Sequence, residues 1–237
     1  MQKHPITPPA SDQVLAPATR SMSFLRTEVD ILLFLSMIFS CLLTAARILY
    51  TGRLTFIFLP WNLFLAYIPY FISTYLSNRS RRNVAWWTLS LVWLLFIPNS
   101  FYIITDLYHL ADKYNDRQTP QWFDLAMILS YVWNGLLLGV LSVRQMERAL
   151  LPRQTLRNEL LFLYPVMWMN ALGIYIGRYL RYNSWDVVTD PFQLLRDIAV
   201  MVVHPLRHQN TWDMVLCFSI LMTLIYLMMK KISKALI

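Results

Sequence analysis

Four polar residues follow the apolar run that begins at Trp93, and their types suit proton transfer. Asn99, Tyr102, Asp106 and His109 are spaced three, four and three positions apart. If the helix resumes after Pro98, this spacing places all four on one face. Ionisable side chains at the edge of a bilayer are costly, so they usually face the protein interior or a water-filled cavity. We therefore predict Asp106 and His109 as a catalytic acid–base pair.

A second polar group ends a later apolar run and has the chemistry of an anion site. Arg178 and Arg181 are three apart, and Asp186 follows them. Two arginines on one face can bind a phosphate or carboxylate in a bidentate manner. We predict a substrate-binding role for Asn99, Tyr102, Arg178, Arg181 and Asp186. Snorkelling of the arginines, or ion pairs with Asp106 and Asp186, is an equal alternative.

The spacing of the histidines gives a metal site as the alternative hypothesis. His204 and His208 are four apart, which suits a helix that binds a metal, but Pro205 between them disturbs helical geometry. Together with Asp106 and His109 they are the candidate ligands. Our prediction is no bound cofactor, with a divalent metal on these four residues as the alternative.

The composition is that of a membrane protein. Of the 237 residues, 57% are hydrophobic and only 14% are charged, whereas a soluble domain has about 25% charged residues. Apolar runs near 20 residues recur, which ordinary core helices do not require. We predict an all-α fold, a polytopic membrane helix bundle.

The apolar runs predict six transmembrane helices and one shorter helix. The spans lie at about 30–50, 54–76, 84–104, 122–143, 160–180 and 212–230. The segment 187–203 is too short to cross, and Asp190 with Pro191 predicts its start as an interfacial or re-entrant helix on the outer side. Residues 1–23 are predicted to be a disordered cytoplasmic tail, and 24–237 a single transmembrane helical domain.

Basic clusters indicate the orientation. They occur at 79–82, 144–157 and 230–234, all on the side of the membrane that holds the N-terminus. The preference of Lys and Arg for cytoplasmic loops then predicts both termini inside the cell and the Asp106 region outside. The net charge of +8 is explained by this topology, so membrane lipids, and not nucleic acid, are the expected partners.

Four of the five glycines form two Gly-x-x-x-Gly pairs. Gly135 pairs with Gly139 in the fourth span, and Gly173 with Gly177 in the fifth. Small residues four apart let helix backbones approach closely in lipid. We expect both spans to pack tightly, with packing on each other as one arrangement.

Two motifs on the predicted outer side resemble a known family. They are Phe-Ile-Pro-Asn-Ser-Phe-Tyr-Ile-Ile-Thr-Asp-Leu-Tyr-His-Leu at 96–110 and Gly-Ile-Tyr-Ile-Gly-Arg-Tyr-Leu-Arg-Tyr-Asn-Ser-Trp-Asp at 173–186. The chain is similar over about 55–230 to the bacterial multi-pass membrane proteins of domain-of-unknown-function family thirteen sixty-one. This resemblance implies a location in the bacterial cytoplasmic (inner) membrane, and it implies no activity.

Three functions remain open at this point. The first is an enzyme that acts at the outer leaflet on a lipid-linked or envelope substrate with an anionic group. The second is a non-catalytic assembly or structural subunit, in which the Arg and Asp residues form ion pairs. The third is a small permease, since Pro98 interrupts a span and broken helices often form transport sites.

Overall fold

A computed structural model describes residues 11–79, 81–110, 119–151, 155–182 and 185–235, with the backbone alone for 11–27. Every regular element in these ranges is helical, as predicted. The α-helices are α1 (Ser11–Thr51), α2 (Phe58–Ser77), α3 (Val84–Tyr102), α4 (Gln121–Leu150), α5 (Leu156–Tyr175), α6 (Asp186–Thr189), α7 (Pro191–Val203) and α8 (Gln209–Ala235). Two 3₁₀ segments (Ile103–Leu110 and Pro205–His208) and a π turn (Ile176–Leu180) complete the order. The predicted tail 1–23 lies partly outside the described residues and stays a prediction.

Five helical stretches among the described residues are long and apolar enough to cross a membrane. They are Glu28–Thr51, Val84–Leu110, Gln121–Leu150, Arg157–Leu180 and Pro205–Ser233. Each corresponds to a predicted span, and α2 occupies the position of the remaining one. The predicted short helix is found as α7, which Asp190 caps through Gln193 N and Pro191 opens.

Apolar side chains face outward on most of the bundle. Leu32, Leu49, Phe64 and Leu91 are all exposed, an arrangement that costs free energy in water and none in lipid. The helix α4 differs, because 61% of its most apolar window is buried against 17–33% for four other candidate spans. It is therefore the most buried of these five spans, and α1, α2 and α3 pack against it.

The six long helices run alternately up and down, which gives the bundle two distinct ends. Arg47 near the end of α1 pairs with Asp124 at the start of α4. At the opposite end, Lys230 of α8 pairs with Glu159 at the start of α5. We call the first the Asp106 end and the second the Lys230 end. The 3₁₀ segment after α3 lies at the Asp106 end, where its His109 packs on Phe58 of α2.

Pro98 does not break its helix. α3 continues through Pro98 to Tyr102 before the 3₁₀ segment begins. Proline is tolerated inside a membrane helix when neighbouring helices satisfy the freed backbone groups. Since a 3₁₀ helix has three residues per turn, Asp106 and His109 lie one above the other, whereas the predicted stripe assumed α-helical geometry throughout.

Both glycine pairs lie against α3, from two sides. A Cβ atom on Gly135 would be 2.8 Å from Ser100 O, and one on Gly139 would be 2.9 Å from the Phe101 ring. On the α5 side, a Cβ on Gly173 would be 2.7 Å from Pro98. The predicted close packing is therefore present, but the partner of both helices is α3.

This packing predicts a graded cost for added methyl groups. Gly173→Ala should destabilise the protein by about 1–3 kcal/mol, because a rigid proline ring occupies the space. Gly177→Ala is the matched control, since its Cβ would be 3.3 Å from the edge of the Tyr102 ring, which can shift. Thermal unfolding midpoints in detergent measure the difference. Equal midpoints for the two variants would contradict the packing described here.

Candidate functional site

Asp106 is buried at the centre of the polar cluster. Its side chain is 1% exposed, and Asn62 Nδ2 donates to Oδ2 at 3.0 Å. The nearest cation is Arg178, whose Nη1 is 3.8 Å from Oδ1, beyond hydrogen-bond range. Among the described residues, Oδ1 has no hydrogen-bond partner. The carboxylate therefore has a counter-charge but keeps one acceptor oxygen without a donor, which is costly for a buried group.

His109 contacts the backbone carbonyl of Asp106 through its ring. Nδ1 lies 3.1 Å from Asp106 O, and a carbonyl oxygen can only accept, so Nδ1 carries the proton. In the neutral ring, Nε2 is then the nitrogen that can take up a proton. The ring packs on Phe58 with centroids 4.7 Å apart, which fixes its orientation. This tautomer is the one a general base requires.

The π turn after α5 positions Arg178. A π turn holds one residue more than an α-helical turn and rotates the residues that follow. Here it brings Arg178 to Asp106 and over the Tyr108 ring, 5.5 Å from its centroid. The second predicted arginine is placed differently: Arg181 is exposed and left-handed, with φ 61°. The expected shared face of the two arginines does not form, because helical periodicity ends at Leu180.

Asp186 lies at the first position of α6. Its Oδ1 accepts a hydrogen bond from Thr189 Oγ1 at 3.1 Å, and Asp190 N donates to its carbonyl. These are the contacts of a residue that stabilises a helix start. Asp186 does not line the cavity described next, and its predicted substrate contact stays a prediction.

A cavity of about 560 Å³ lies beside the cluster, between α2, α3, α5 and α7. Most of its wall is apolar, with Leu65, Leu95 and Leu172 as examples. Polar groups gather at one end, where Asn62, Asn99, Tyr102 and Tyr182 line it. The predicted binding residues Asn99 and Tyr102 thus belong to a real cavity wall.

The cavity is open along the flank of the bundle. Leu91, in its wall, is 68% exposed and Trp61 is 51% exposed. Both lie within helices whose outer faces are apolar, so the opening faces lipid. A molecule could therefore reach the polar end from within the membrane.

α7 covers the outer part of this cavity. Leu194 and Ile198 of α7 line the wall, and Tyr182 OH donates to Asp197 Oδ2 at 2.9 Å. Partial desolvation, and then the acceptor Asp197, raise the pKa of Tyr182, so its hydroxyl remains a donor at neutral pH. Trp212 Nε1 holds the other end of α7 through Met201 O.

The histidines near α7 do not form a helical pair. α7 ends at Val203, and a 3₁₀ segment starts at Pro205, so His204 and His208 lack the four-residue α-helical register. Pro205 has the disturbing effect expected of it. Within the described ranges, no group of three or more His, Cys, Asp or Glu side chains is placed to hold a metal ion.

Sequence reasoning missed three residues at the Asp106 end. Asn62, the donor to Asp106, is 44 residues away along the chain. Arg47 and Asp124 form a buried ion pair, with Arg47 Nε 2.7 Å from Asp124 Oδ1. The available signal was position: Asn62 and Arg47 are polar residues inside predicted spans, and such residues almost always have a partner.

A family model matches the larger part of the chain. A family model described as "Protein of unknown function (DUF1361)" matches residues 61–225. The matched part contains α3, α4, α5 and the residues of the cluster and cavity. No curated protein and no solved structure matches the chain.

Proposed function

The chain belongs to the DUF1361 family of proteins of unknown function, and we propose that it is a membrane enzyme that acts on a lipid-linked or envelope substrate with an anionic group. The substrate occupies the cavity beside Asp106 and reaches it from the outer leaflet. The observation that carries this proposal is the amphipathic cavity itself. Its long apolar wall suits a lipid chain, and its polar end suits a headgroup.

The residues that line the polar end of the cavity, and the cluster next to it, have separate roles in binding the substrate and in chemistry. Asn99 and Tyr102 hydrogen-bond the headgroup where they line the cavity. Arg178 attracts an anionic group, since its distance of 3.8 Å from Asp106 leaves its donors available for stronger bonds. Arg181 and Asp186 follow Arg178 in the chain. In this proposal they contact the part of the headgroup that lies outside the cavity.

Asp106 and His109 move the proton. Asn62 lies between Asp106 and the cavity, because it lines the cavity wall and also donates to Asp106, whose carboxylate it positions. Within the described residues no donor bonds Asp106 Oδ1, and His109 has Nε2 as its basic nitrogen. General acid–base catalysis by such groups contributes about 10²–10⁴-fold to a rate.

The topology of the proposal has six spans. α2 runs antiparallel to α1. Tyr70, in the second half of α2, donates to Asp30, which lies near the start of the part of α1 whose side chains are described. Its 20 residues correspond to about 30 Å, the thickness of the hydrocarbon core. α1 ends at the Asp106 end and α3 begins at the Lys230 end, so the chain returns through α2. Its polar residues are accommodated because α2 packs between α1, α3 and α4.

The proposed location is the bacterial cytoplasmic membrane, with both termini in the cytoplasm. The basic residues Arg82, Arg144 and Lys230 lie at the Lys230 end, which positive-inside topology places on the cytoplasmic side. The Asp106 end then faces outward. α7 lies in the outer interface, where its exposed Phe192 and Val203 are buried by lipid headgroups.

A non-catalytic assembly subunit is the second candidate, and one observation favours it. Buried ion pairs are present at both ends of the bundle, such as Arg47 with Asp124 and Lys230 with Glu147. Asp106 with Arg178 would be a third pair of this kind. Asp106 Oδ1, which has no hydrogen-bond donor among the described residues, and the neighbouring cavity favour the enzyme.

Filling the cavity tests whether it holds a lipid-linked molecule. Ile198→Trp adds volume inside the cavity wall, whereas Val200→Trp places the same new side chain on the exposed face of α7. We expect the lipids that co-purify with the protein, identified by mass spectrometry, to include a species that Ile198→Trp loses by about tenfold or more. Val200→Trp should retain it. Identical lipid profiles for both variants and the parent protein would refute the substrate cavity.

A further inference from the structure

A second cavity, separate from the first, lies between the end of α1 and the start of α4. Its volume is about 360 Å³, and its wall includes Arg47, Tyr50, Thr119 and Trp122. None of these residues lines the cavity beside Asp106. The two cavities are therefore distinct, although both are at the Asp106 end.

Arg47 is fully buried and only partly satisfied. It is 1% exposed, its Nε lies 2.7 Å and its Nη2 3.3 Å from the two carboxylate oxygens of Asp124, and its guanidinium stacks over Phe56. Its Nη1 has no hydrogen-bond partner in the described part of the chain. A guanidinium can bind acceptors at two edges, and here one edge is occupied. A buried donor without an acceptor destabilises the protein, and an acceptor oxygen from a ligand would remove that cost.

The start of α4 adds a second attraction for an acceptor. α4 is 30 residues long, and its N-cap residue Pro120 makes no side-chain hydrogen bond to the first N–H groups of the helix. The first N–H groups of such a helix carry a partial positive charge and favour an anion. Because Arg47 and Asp124 neutralise each other, this helix end supplies the net positive field of the cavity.

The surroundings are those of a membrane interface. Tyr50 is 73% exposed and Trp122 is 68% exposed, and such aromatic side chains lie at the depth of lipid headgroups. Leu42 and Leu49 are exposed on α1 and offer an apolar surface to acyl chains. A ligand at this place has its polar part in the cavity and its apolar part along α1.

We propose that this second cavity binds the phosphate group of a membrane phospholipid. One phosphate oxygen accepts a hydrogen bond from Arg47 Nη1, and the phosphate lies at the start of α4. The bound lipid joins α1 to α4 at the Asp106 end and is not the substrate of the first cavity.

Replacing Arg47 would leave Asp124 as an unpaired buried charge, so a cavity-filling variant carries the test. Ala46 is exposed and lines the cavity, while its neighbour Ala45 is exposed and does not. Native mass spectrometry of the full chain in detergent, titrated with dioleoyl phosphatidylglycerol, gives the apparent Kd of the lipid. We expect Ala46→Leu to weaken binding by about tenfold or more and Ala45→Leu to leave it unchanged.

Two further probes identify the chemistry. Dioleoylglycerol has the same esters without phosphate and should bind at least about tenfold more weakly. Inorganic phosphate should not displace the phospholipid, since it lacks the apolar contacts. Equal lipid binding by the two alanine variants, equal binding of dioleoylglycerol, or displacement by inorganic phosphate would each overturn the proposal.

Discussion

Lys230→Met is expected to lower the free energy of unfolding by about 3–5 kcal/mol. Lys230 Nζ lies 2.6 Å from Glu147 Oε1 and 2.8 Å from Glu159 Oε2, and its side chain is 3% exposed. Without it, the buried carboxylate of Glu159 loses this cation and faces Glu147, which keeps Arg144 as its counter-charge. Tyr226, which also donates to Glu147, cannot replace the lost charge. A fall in the thermal unfolding midpoint in detergent measures the effect.

The neighbouring lysine provides the control. Lys231 is exposed, and Lys231→Met should change stability by less than about 0.5 kcal/mol. Removing one carboxylate as well, in Lys230→Met with Glu159→Gln, should recover part of the loss, because Arg144 still pairs with Glu147. If Lys230→Met were as stable as Lys231→Met, the buried network would not be a structural element.

Asp106→Asn is expected to abolish function and to preserve the fold. Asparagine has the shape of aspartate and can still accept the hydrogen bond of Asn62, but it transfers no proton. The ion pair with Arg178 spans 3.8 Å, so its loss costs little, and removing a buried charge offsets that cost. Turnover should fall by about 10²–10⁴-fold. The level of envelope lipid and glycan products, in a bacterial strain that depends on the protein, measures the loss.

This prediction separates the enzyme from the assembly subunit. Asp213→Asn is the matched control, since Asp213 is exposed on α8 and outside the cavity wall. Full complementation by both variants, at equal protein level and unfolding midpoint, would favour the structural role. Loss of product with Asp106→Asn alone would favour catalysis.

The membrane fold was predictable because lipid imposes a simple rule. Apolar runs near 20 residues must be helices, and the described spans follow the predicted ones. The same rule located Asp106, Asn99 and Arg178, since charged and amide side chains at the ends of apolar runs must converge on a polar interior. The structure places Asp106 next to Arg178, and Asn99 in the adjoining cavity wall.

The local geometry of the cluster was not predictable. The 3₁₀ segment that carries Asp106 and the π turn that carries Arg178 have no distinctive sequence pattern, because packing against neighbouring helices decides them. The left-handed backbone of Arg181 has the same origin. Helical periodicity alone predicted Arg181 on the same face as Arg178, but the helical segment ends at Leu180, one residue before Arg181.

Helix ends were the other weak point. The predicted fourth span ended at 143, but α4 continues to Leu150. Charged residues there read as a cytoplasmic loop, whereas Glu147 is buried and paired with Lys230. Pairing between residues 83 positions apart removes the penalty that the hydropathy pattern assigned to each.

The glycine contacts with α3 also determine how the first cavity can fluctuate. Backbone-close packing by Gly135 on one side and Gly173 on the other leaves α3 no room for displacement. α7 is held by side-chain hydrogen bonds at Asp197 and Met201 and by the buried Leu194 and Met201, contacts that a small shift can lengthen, so displacing α7 costs less than displacing α3. Fluctuations of the cavity are therefore unequal in direction, because the wall formed by α3 is rigid and the wall formed by α7 can move. A bulky ligand would exchange at the rate at which α7 is displaced. A slender ligand would enter and leave through the opening on the flank of the bundle without that displacement.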